Sequence, residues 1–433
     1  MIRLKKDISL YLILERILSE LNEQVVEHGE RVAYFYLKLC EYRNIPDDEH
    51  TEQMMLACYA HDIGAYKTEK FLDLLRFDVE NTLEHCIYGY LFMKYFSPMA
   101  EAAEVLLYHH TFYRDRDTEK GRYMDDGILI HFLDRIDVLQ IFNDEEEMLR
   151  QIRQVSGTNF NPLDVEDFIK ANEKYGILEH IRDGSFKKEV REYFDTEDRI
   201  RRYVNDIIAM LAYEIDFKSE QTVVHAITTT QFAEILARKM GLSEIDVEII
   251  TFAAWIHDLG KIDVAQEIVE KPGKLTPEEY ELMKEHVNFT EKITADIMPE
   301  SVVRIACRHH ERLDGSGYPA GLSGEALDMP ERILQVADVA SALLQKRSYK
   351  EPLSKETVLS IIGRDADAGK FDAEVVKLFT EEYDEIVKTV WENSRDTIDR
   401  YENLQEEYRQ YLKRYSSSDT AKLDEFGLFS GLH

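Results

Sequence analysis

The feature that most constrains this chain is an order of residues that occurs twice. Glu23-Gln24-Val25-Val26-Glu27-His28 returns as Glu220-Gln221-Thr222-Val223-Val224-His225. His61-Asp62-Ile63-Gly64 is then followed by His85, His109-His110 and Asp134, and His257-Asp258-Leu259-Gly260 by His286, His309-His310 and Asp338. The trailing segments echo as well: Gly157-Thr158-Asn159-Phe160-Asn161-Pro162 resembles Gly369-Lys370-Phe371-Asp372-Ala373. A fixed order repeated at long spacing predicts two domains of one fold in tandem. We place them at 1–215 and 216–382, with 186–217 as a charged helical connection between them.

The chain of 433 residues is too long for one core, and 19 Gly and 9 Pro are few. Helix-favouring Leu, Glu and Lys predominate, so an all-α fold is expected. Residues 383–433 read as an amphipathic helical extension with a loose tail. Its stripe Ile386, Val390, Ile398, Tyr401, Leu404, Tyr408, Leu412 and Tyr415 must bury against something. Packing within the chain is the first expectation, and a homodimer through this helix is the other.

The apolar stretch Ser9 to Leu18 is broken by Glu15 and Arg16, too short to cross a bilayer and a poor signal peptide. A cytoplasmic protein without membrane insertion is expected. Cys40, Cys58, Cys86 and Cys307 show no paired spacing and read as core thiols. A formal charge of −32 argues against a nucleic-acid polymer as partner. A small anion is still allowed where metal ions and a few Lys or Arg overcome the global field.

The second half carries the clearest chemistry. His225, His257, Asp258, His286, His309, His310 and Asp338 supply five imidazoles and two carboxylates, the ligand inventory of a two-metal centre. Without a thiolate, such a set suits iron or manganese as well as zinc. His257-Asp258 closes the apolar run Ile249 to Ile256, with Gly260 expected as a helix stop. Asp338 lies among Ile333, Val336, Ala337, Val339 and Leu343, where burial is costly unless the carboxylate is paired or metal-bound.

His309-His310-Glu311-Arg312-Leu313-Asp314-Gly315-Ser316-Gly317-Tyr318-Pro319 resembles the signature of the HD-GYP family. His257-Asp258-Leu259-Gly260-Lys261, the run Lys271 to Thr276 leading to His286, Arg332 to Asp338, and Arg347 to Lys350 resemble the same family, over about 160 residues in all. Taken alone, the loop reads as a tight turn with Gly315 and Gly317 at positive φ and Pro319 stiffening the exit, a reading that its company of matched motifs outweighs.

The resemblance implies a helical phosphodiesterase that hydrolyses cyclic di-GMP to linear pGpG and onward to GMP, through a hydroxide bridging two metals. It assigns His225, His257, Asp258 and Asp338 to one divalent ion and Asp258, His286, His309 and His310 to the other. Iron or manganese is favoured over zinc. Lys261, Arg347 and Lys350 would grip the substrate, with Asp258 and Lys261 as the catalytic pair. Gln221 replaces a glutamate that supports a third metal in some members, so two ions are expected. Ser341 stands where the family usually has a second aspartate, so the support that aspartate would give Asp338 is expected to be lost.

His28, His61, Asp62, His85, His109, His110 and Asp134 repeat the ligand set in the first half, where a further metal site is expected. Ala65 replaces the lysine, and Thr111-Phe112-Tyr113-Arg114-Asp115 replaces the glycine-rich loop, so this half resembles the wider HD superfamily. Three readings stay open for it: a second phosphohydrolase, a metal-bound regulatory domain, or a structural partner. For the whole chain the alternatives are a phosphohydrolase of another nucleotide and a catalytically weak cyclic di-GMP binding module.

Overall fold

The computed structural model describes residues 9–65, 82–117, 121–216, 220–269, 271, 273–345 and 353–416. Among the described residues the regular elements are helices, as the sparse glycine and proline predict. Two compact units emerge from the contacts. One holds residues up to 20 together with 200–400, and the other holds 21–199 together with the chain from 401.

In the first of these units, five elements carry the repeated residues. Glu220–Lys239 presents His225 and packs against Met329–Leu344, which presents Asp338. Glu244–Ile256 ends at His257-Asp258, His286–Thr294 opens with His286, and Glu300–Ala306 leads into His309-His310. Local chemistry fixes these boundaries. The Ser243 hydroxyl accepts from Asp246 N at the start of one helix, and Asp328 with Glu331 forms a capping box at the start of another. Each such cap contributes about 1 kcal/mol.

Along Met329–Leu344 the residues Ile333, Val336, Ala337, Ala340 and Leu344 are buried at helical spacing, and Asp338 is buried among them. Leu10, Ile13, Leu14 and Ile17 also bury in this unit, and the Arg16 guanidinium donates to the Ala295 carbonyl over 2.6 Å. The short apolar stretch at the chain start is therefore a core-facing helical segment.

The other unit repeats the frame. Leu10–Arg43 carries His28, Glu49–Ala60 ends at His61-Asp62, Thr82–Phe96 carries His85, Val105–Tyr108 leads into His109-His110, and Met124–Phe142 carries Asp134. The trailing echo is also structural: Asn161 and Asp372 cap their helices with their own carboxamide or carboxylate oxygens, each after a glycine at positive φ, Gly157 and Gly369.

The terminal helix Tyr383–Ser416 buries Ile386, Val390, Tyr401 and Leu404 of its expected stripe and half-buries Ile398, Tyr408 and Leu412, while the side chain of Tyr415 lies outside the described residues. Ile386 and Val390 are buried in the unit of 200–400, while Tyr401 and Leu404 are buried in the unit of 21–199. There the Tyr408 ring lies 5.6 Å from that of Tyr88, and Glu407 accepts from Lys94 and from the Tyr95 hydroxyl, each at 2.7 Å.

Two glycines play a different part from the one expected. Gly260 is not a helix stop; the helix has ended at Ile256, and a Cβ on Gly260 would overlap the His286 carbonyl oxygen and Thr290 N. Its missing side chain lets His286–Thr294 lie against the turn after Asp258, where Gly260 N donates to the Thr290 hydroxyl at 2.9 Å. Gly64 meets the His85 carbonyl in the same way.

Because the obstructing atoms are backbone, Gly260→Ala is expected to destabilise by about 1–3 kcal/mol in urea unfolding. Gly363→Ala, in open space on Lys355–Asp367, is expected to change stability by less than about 1 kcal/mol or to raise it.

Candidate metal centre

In the second half the structure brings together all seven residues expected there. Asp258 lies between two sets of imidazoles. Its Oδ2 is 3.2 Å from His257 Nε2 and 3.7 Å from His225 Nε2, while its Oδ1 is 3.5 Å from His286 Nε2 and 3.9 Å from His309 Nε2. Asp338 adds Oδ1 at 3.1 Å from His225 Nε2 and Oδ2 at 3.9 Å from His310 Nδ1. Lys261 pairs with Asp258 Oδ2. Arg347 and Lys350 lie outside the described residues, as does the side chain of Gln221.

The helix ends also fix which ring nitrogen faces the centre. Nδ1 of His257, His286 and His309 lies 2.7, 2.6 and 2.6 Å from the carbonyl three residues back, Ala254, Met283 and Ala306. Each Nδ1–H donates there, which leaves Nε2 as the inward-facing nitrogen of each ring. His225 Nδ1 meets the Ser341 hydroxyl at 3.0 Å, and that hydroxyl also meets Thr228 Oγ1 at 2.7 Å. Ser341 therefore orients His225, since its hydroxyl contacts lead to the helix carrying that residue.

Electrostatics suit a cation. Burial drives His309 down to about 3 and His310 well below its usual value, and it also lowers His286 and His225, keeping these rings neutral as ligands must be. Burial opposes charge on Asp258 too, yet His257 and Lys261 outweigh it and hold the carboxyl well below its usual range. Burial likewise opposes a proton on His257, but the Asp258 and Asp338 carboxylates raise it to about 9.

His257 Nε2 and Asp258 Oδ1 remain buried without a hydrogen-bond partner. Orphaned atoms of this kind, flanked by neutral imidazoles, fit a divalent ion. His310 is the most open of the seven, its side chain 22% exposed.

The glycine-rich loop stands at that opening. Glu311, fully buried, accepts from Ala320 N at 2.7 Å and Leu322 N at 2.8 Å, fixing the loop from within. Gly315 has φ +79° as expected, but Gly317 does not have positive φ: a Cβ there would overlap the His310 carbonyl and the backbone of Glu311 and Arg312. The close approach sets Tyr318 with its ring 4.6 Å from that of His310 and Lys284 Nζ 5.8 Å from the Tyr318 ring. Tyr318 is thus placed beside His310, a proximity that ligand spacing does not reveal.

The first half holds a related but altered centre. His61, His85 and His109 place Nε2 at 3.5 Å from Asp62 oxygens, and His61 Nε2 and Asp62 Oδ1 are again buried without partners. His28 sits between Asp134, 3.1 Å from Nε2, and Asp137, 2.7 Å from Nδ1. Asp137 thus takes the place that Ser341 has in the other half, and Arg31 locks it from 2.6 and 2.9 Å. Arg135 forks onto Asp134 at 2.7–3.0 Å, where the second half has Val339.

All four cysteines are free and buried, but Cys86 differs from the expected core thiol. It groups with His85, His109 and His110, and although burial opposes ionisation, His109 and His85 pull its thiol down to about 6. His131, three residues before Asp134 and so on the same helix face, groups with His110 and Asp134. Neither residue belongs to the repeated pattern, so comparing the halves passes over both.

The HD domain family model matches residues 25–141, and a second HD domain model matches 205–375. The chain is 28% identical to the 3′3′-cGAMP-specific phosphodiesterase 1 of Vibrio cholerae over 84% of this chain and 89% of that one. It is 38% identical to a cyclic di-GMP phosphodiesterase response regulator of Xanthomonas campestris over 39% of this chain and 44% of that one. A solved cyclic GMP-AMP phosphodiesterase of Vibrio cholerae aligns at 18% identity with a TM-score of 0.49, covering 87% of this chain and 98% of that one. No helix among the described residues is long and apolar enough to cross a membrane.

If the Ser341 hydroxyl sets the His225 ring, Ser341→Ala should weaken metal binding by about 10-fold or more in chelator competition. Ser341→Asp, which recreates the Asp137 arrangement of the first half, should retain or tighten it.

Proposed function

This chain belongs to the HD-domain family, its second half to the HD-GYP branch, and on that footing we propose that it is a metal-dependent phosphodiesterase that opens cyclic dinucleotides. The observation that carries the reading is Asp258 set between two groups of inward-facing imidazoles, with unsatisfied buried atoms, beside a fixed DGSGYP loop.

Two divalent ions, iron or manganese in preference to zinc, would supply Lewis acidity toward a phosphate and a water made nucleophilic near neutral pH. His225, His257, Asp258 and Asp338 would hold one, and Asp258, His286, His309 and His310 the other. Lys261, released from Asp258 when cations take its place, would turn its ammonium to a phosphate oxygen, with Arg347 and Lys350 adding charge. Tyr318 would wall the opening beside His310 and offer a ring face to a base. Those few cations supply the local attraction that an acidic surface denies to longer polyanions.

Cyclic di-GMP, cleaved to pGpG and onward to GMP, is the first substrate of this reading. A second candidate, 3′3′-cGAMP, is favoured by one observation: the relative matched over 84% of this chain is specific for it. The reading places the protein in the cytoplasm. It takes 1–215 as the accompanying HD domain, 216–382 as the phosphodiesterase and 383–433 as the extension, a division that follows the sequence repeat. Any pairing of protomers through the terminal helix would use its outward face, where Trp391 is exposed.

Anaerobically purified chain reconstituted with Fe(II) or Mn(II) should release linear dinucleotide from cyclic di-GMP or 3′3′-cGAMP. Asp258→Ala should abolish release, and Lys261→Ala should lower turnover by about 10²-fold. Saturable binding of either dinucleotide without product would replace the enzyme reading with a binding module. Cleavage of a different nucleotide alone would replace the substrate class.

A further inference from the structure

The altered centre of the first half has a donor set of its own. His85 Nε2 lies 3.2 Å from His109 Nε2 and 3.1 Å from His110 Nε2, and Cys86 Sγ lies 3.7 Å from His85 Nε2. A tetrahedral zinc site, with bonds of about 2.0–2.1 Å to nitrogen and about 2.3 Å to sulfur, places its nitrogens about 3.3 Å apart and sulfur about 3.6 Å from nitrogen. The three spacings from His85 match that geometry, and all four donor atoms lie within 4.8 Å of one another.

His109 commits its Nδ1 to the Leu106 carbonyl at 2.6 Å, so its Nε2 presents a lone pair toward the other two rings. Lone pairs converging at hydrogen-bond distance repel unless a proton or a cation lies between them. Beside the group, His131 is buried with neither ring nitrogen in a well-formed hydrogen bond, a second unsatisfied donor of the same kind.

Other substitutions in this half point the same way. Arg135 chelates Asp134 and Arg31 binds Asp137, so fixed guanidinium charge stands where the second half leaves its carboxylate to a metal. Cys86 itself occupies the place of Val287, a buried apolar side chain in the second half. A thiolate among imidazoles shifts preference from hard, oxygen-seeking ions toward zinc.

We propose that the first HD domain holds one zinc ion on His85, Cys86, His109 and His110, a thiolate-containing site distinct in composition from the centre of the second domain. Binding converts the thiol to thiolate, and the displaced proton passes to solvent. The second-domain ligand set contains no sulfur, so a sulfur signature reports the first domain alone. The inference does not depend on hydrolysis by the second domain.

The full-length chain would be stripped of metal and reloaded with cobalt(II), a spectroscopic stand-in for zinc. A thiolate-to-cobalt charge-transfer band is expected in the near ultraviolet. Cys86→Ser should abolish the band and lower zinc content by about one ion per chain, whereas Cys307→Ser should keep both unchanged. Zinc-edge X-ray absorption of the unaltered protein gives the same test without a variant, with sulfur expected at about 2.3 Å. No charge-transfer band at cobalt saturation, a band that survives Cys86→Ser, or a zinc shell of nitrogen and oxygen only would overturn the proposal.

Discussion

A buried carboxylate at the end of a helix, ringed by imidazoles, is the constraint on which each domain depends. Asp258 and Asp62 are both buried, and each keeps an oxygen without a hydrogen-bond partner. Such a group costs several kcal/mol unless compensated. In the second domain part of the compensation comes from Lys261 and His257, and the rest is left to a cation, because His286 and His309 spend Nδ1 on a backbone carbonyl one turn back and aim Nε2 inward. The fold and the ligand set are therefore one arrangement: helix ends fix the ring faces, and the ring faces create a place for a cation.

The two domains show how much chemistry that frame leaves open. In the second, a lysine pairs with the central carboxylate, a serine orients the first histidine, and a glycine-rich loop places a tyrosine at the opening. In the first, an alanine stands in the lysine position, an aspartate held by Arg31 orients the histidine, and Arg135 covers the other carboxylate. The backbone requirements stay the same, since Gly64 and Gly260 admit the following helix by the same absence of a side chain. Conserving the frame while exchanging the groups around it allows two sites of different donor character in one chain.

Much of this was legible in the sequence because ligands must recur in order along their helices. The positions of His225, His257, Asp258, His286, His309, His310 and Asp338, and of their first-half counterparts, followed from the repeat, and the helical fold followed from the composition. What was not legible depends on distances across the chain. Gly260 and Gly317 read as turn glycines, yet their roles are close backbone approaches that only the packed structure defines. Ser341 looked like the loss of support for a neighbouring aspartate, but its hydroxyl reaches another helix. Cys86 read as a core thiol because nothing in its spacing shows that three histidine rings lie around it, although helical spacing could have drawn His131 toward Asp134.

The most direct test of the account is anomalous diffraction from crystals of the full chain loaded with Mn(II) or Fe(II). The account predicts two peaks in the second domain, one on each side of Asp258 and each within ligating distance of its carboxylate, with Lys261 moved off that group. Metal-saturated crystals in which Asp258 still pairs with Lys261, and no peak lies beside it, would contradict the claim that this carboxylate exists to bridge two cations.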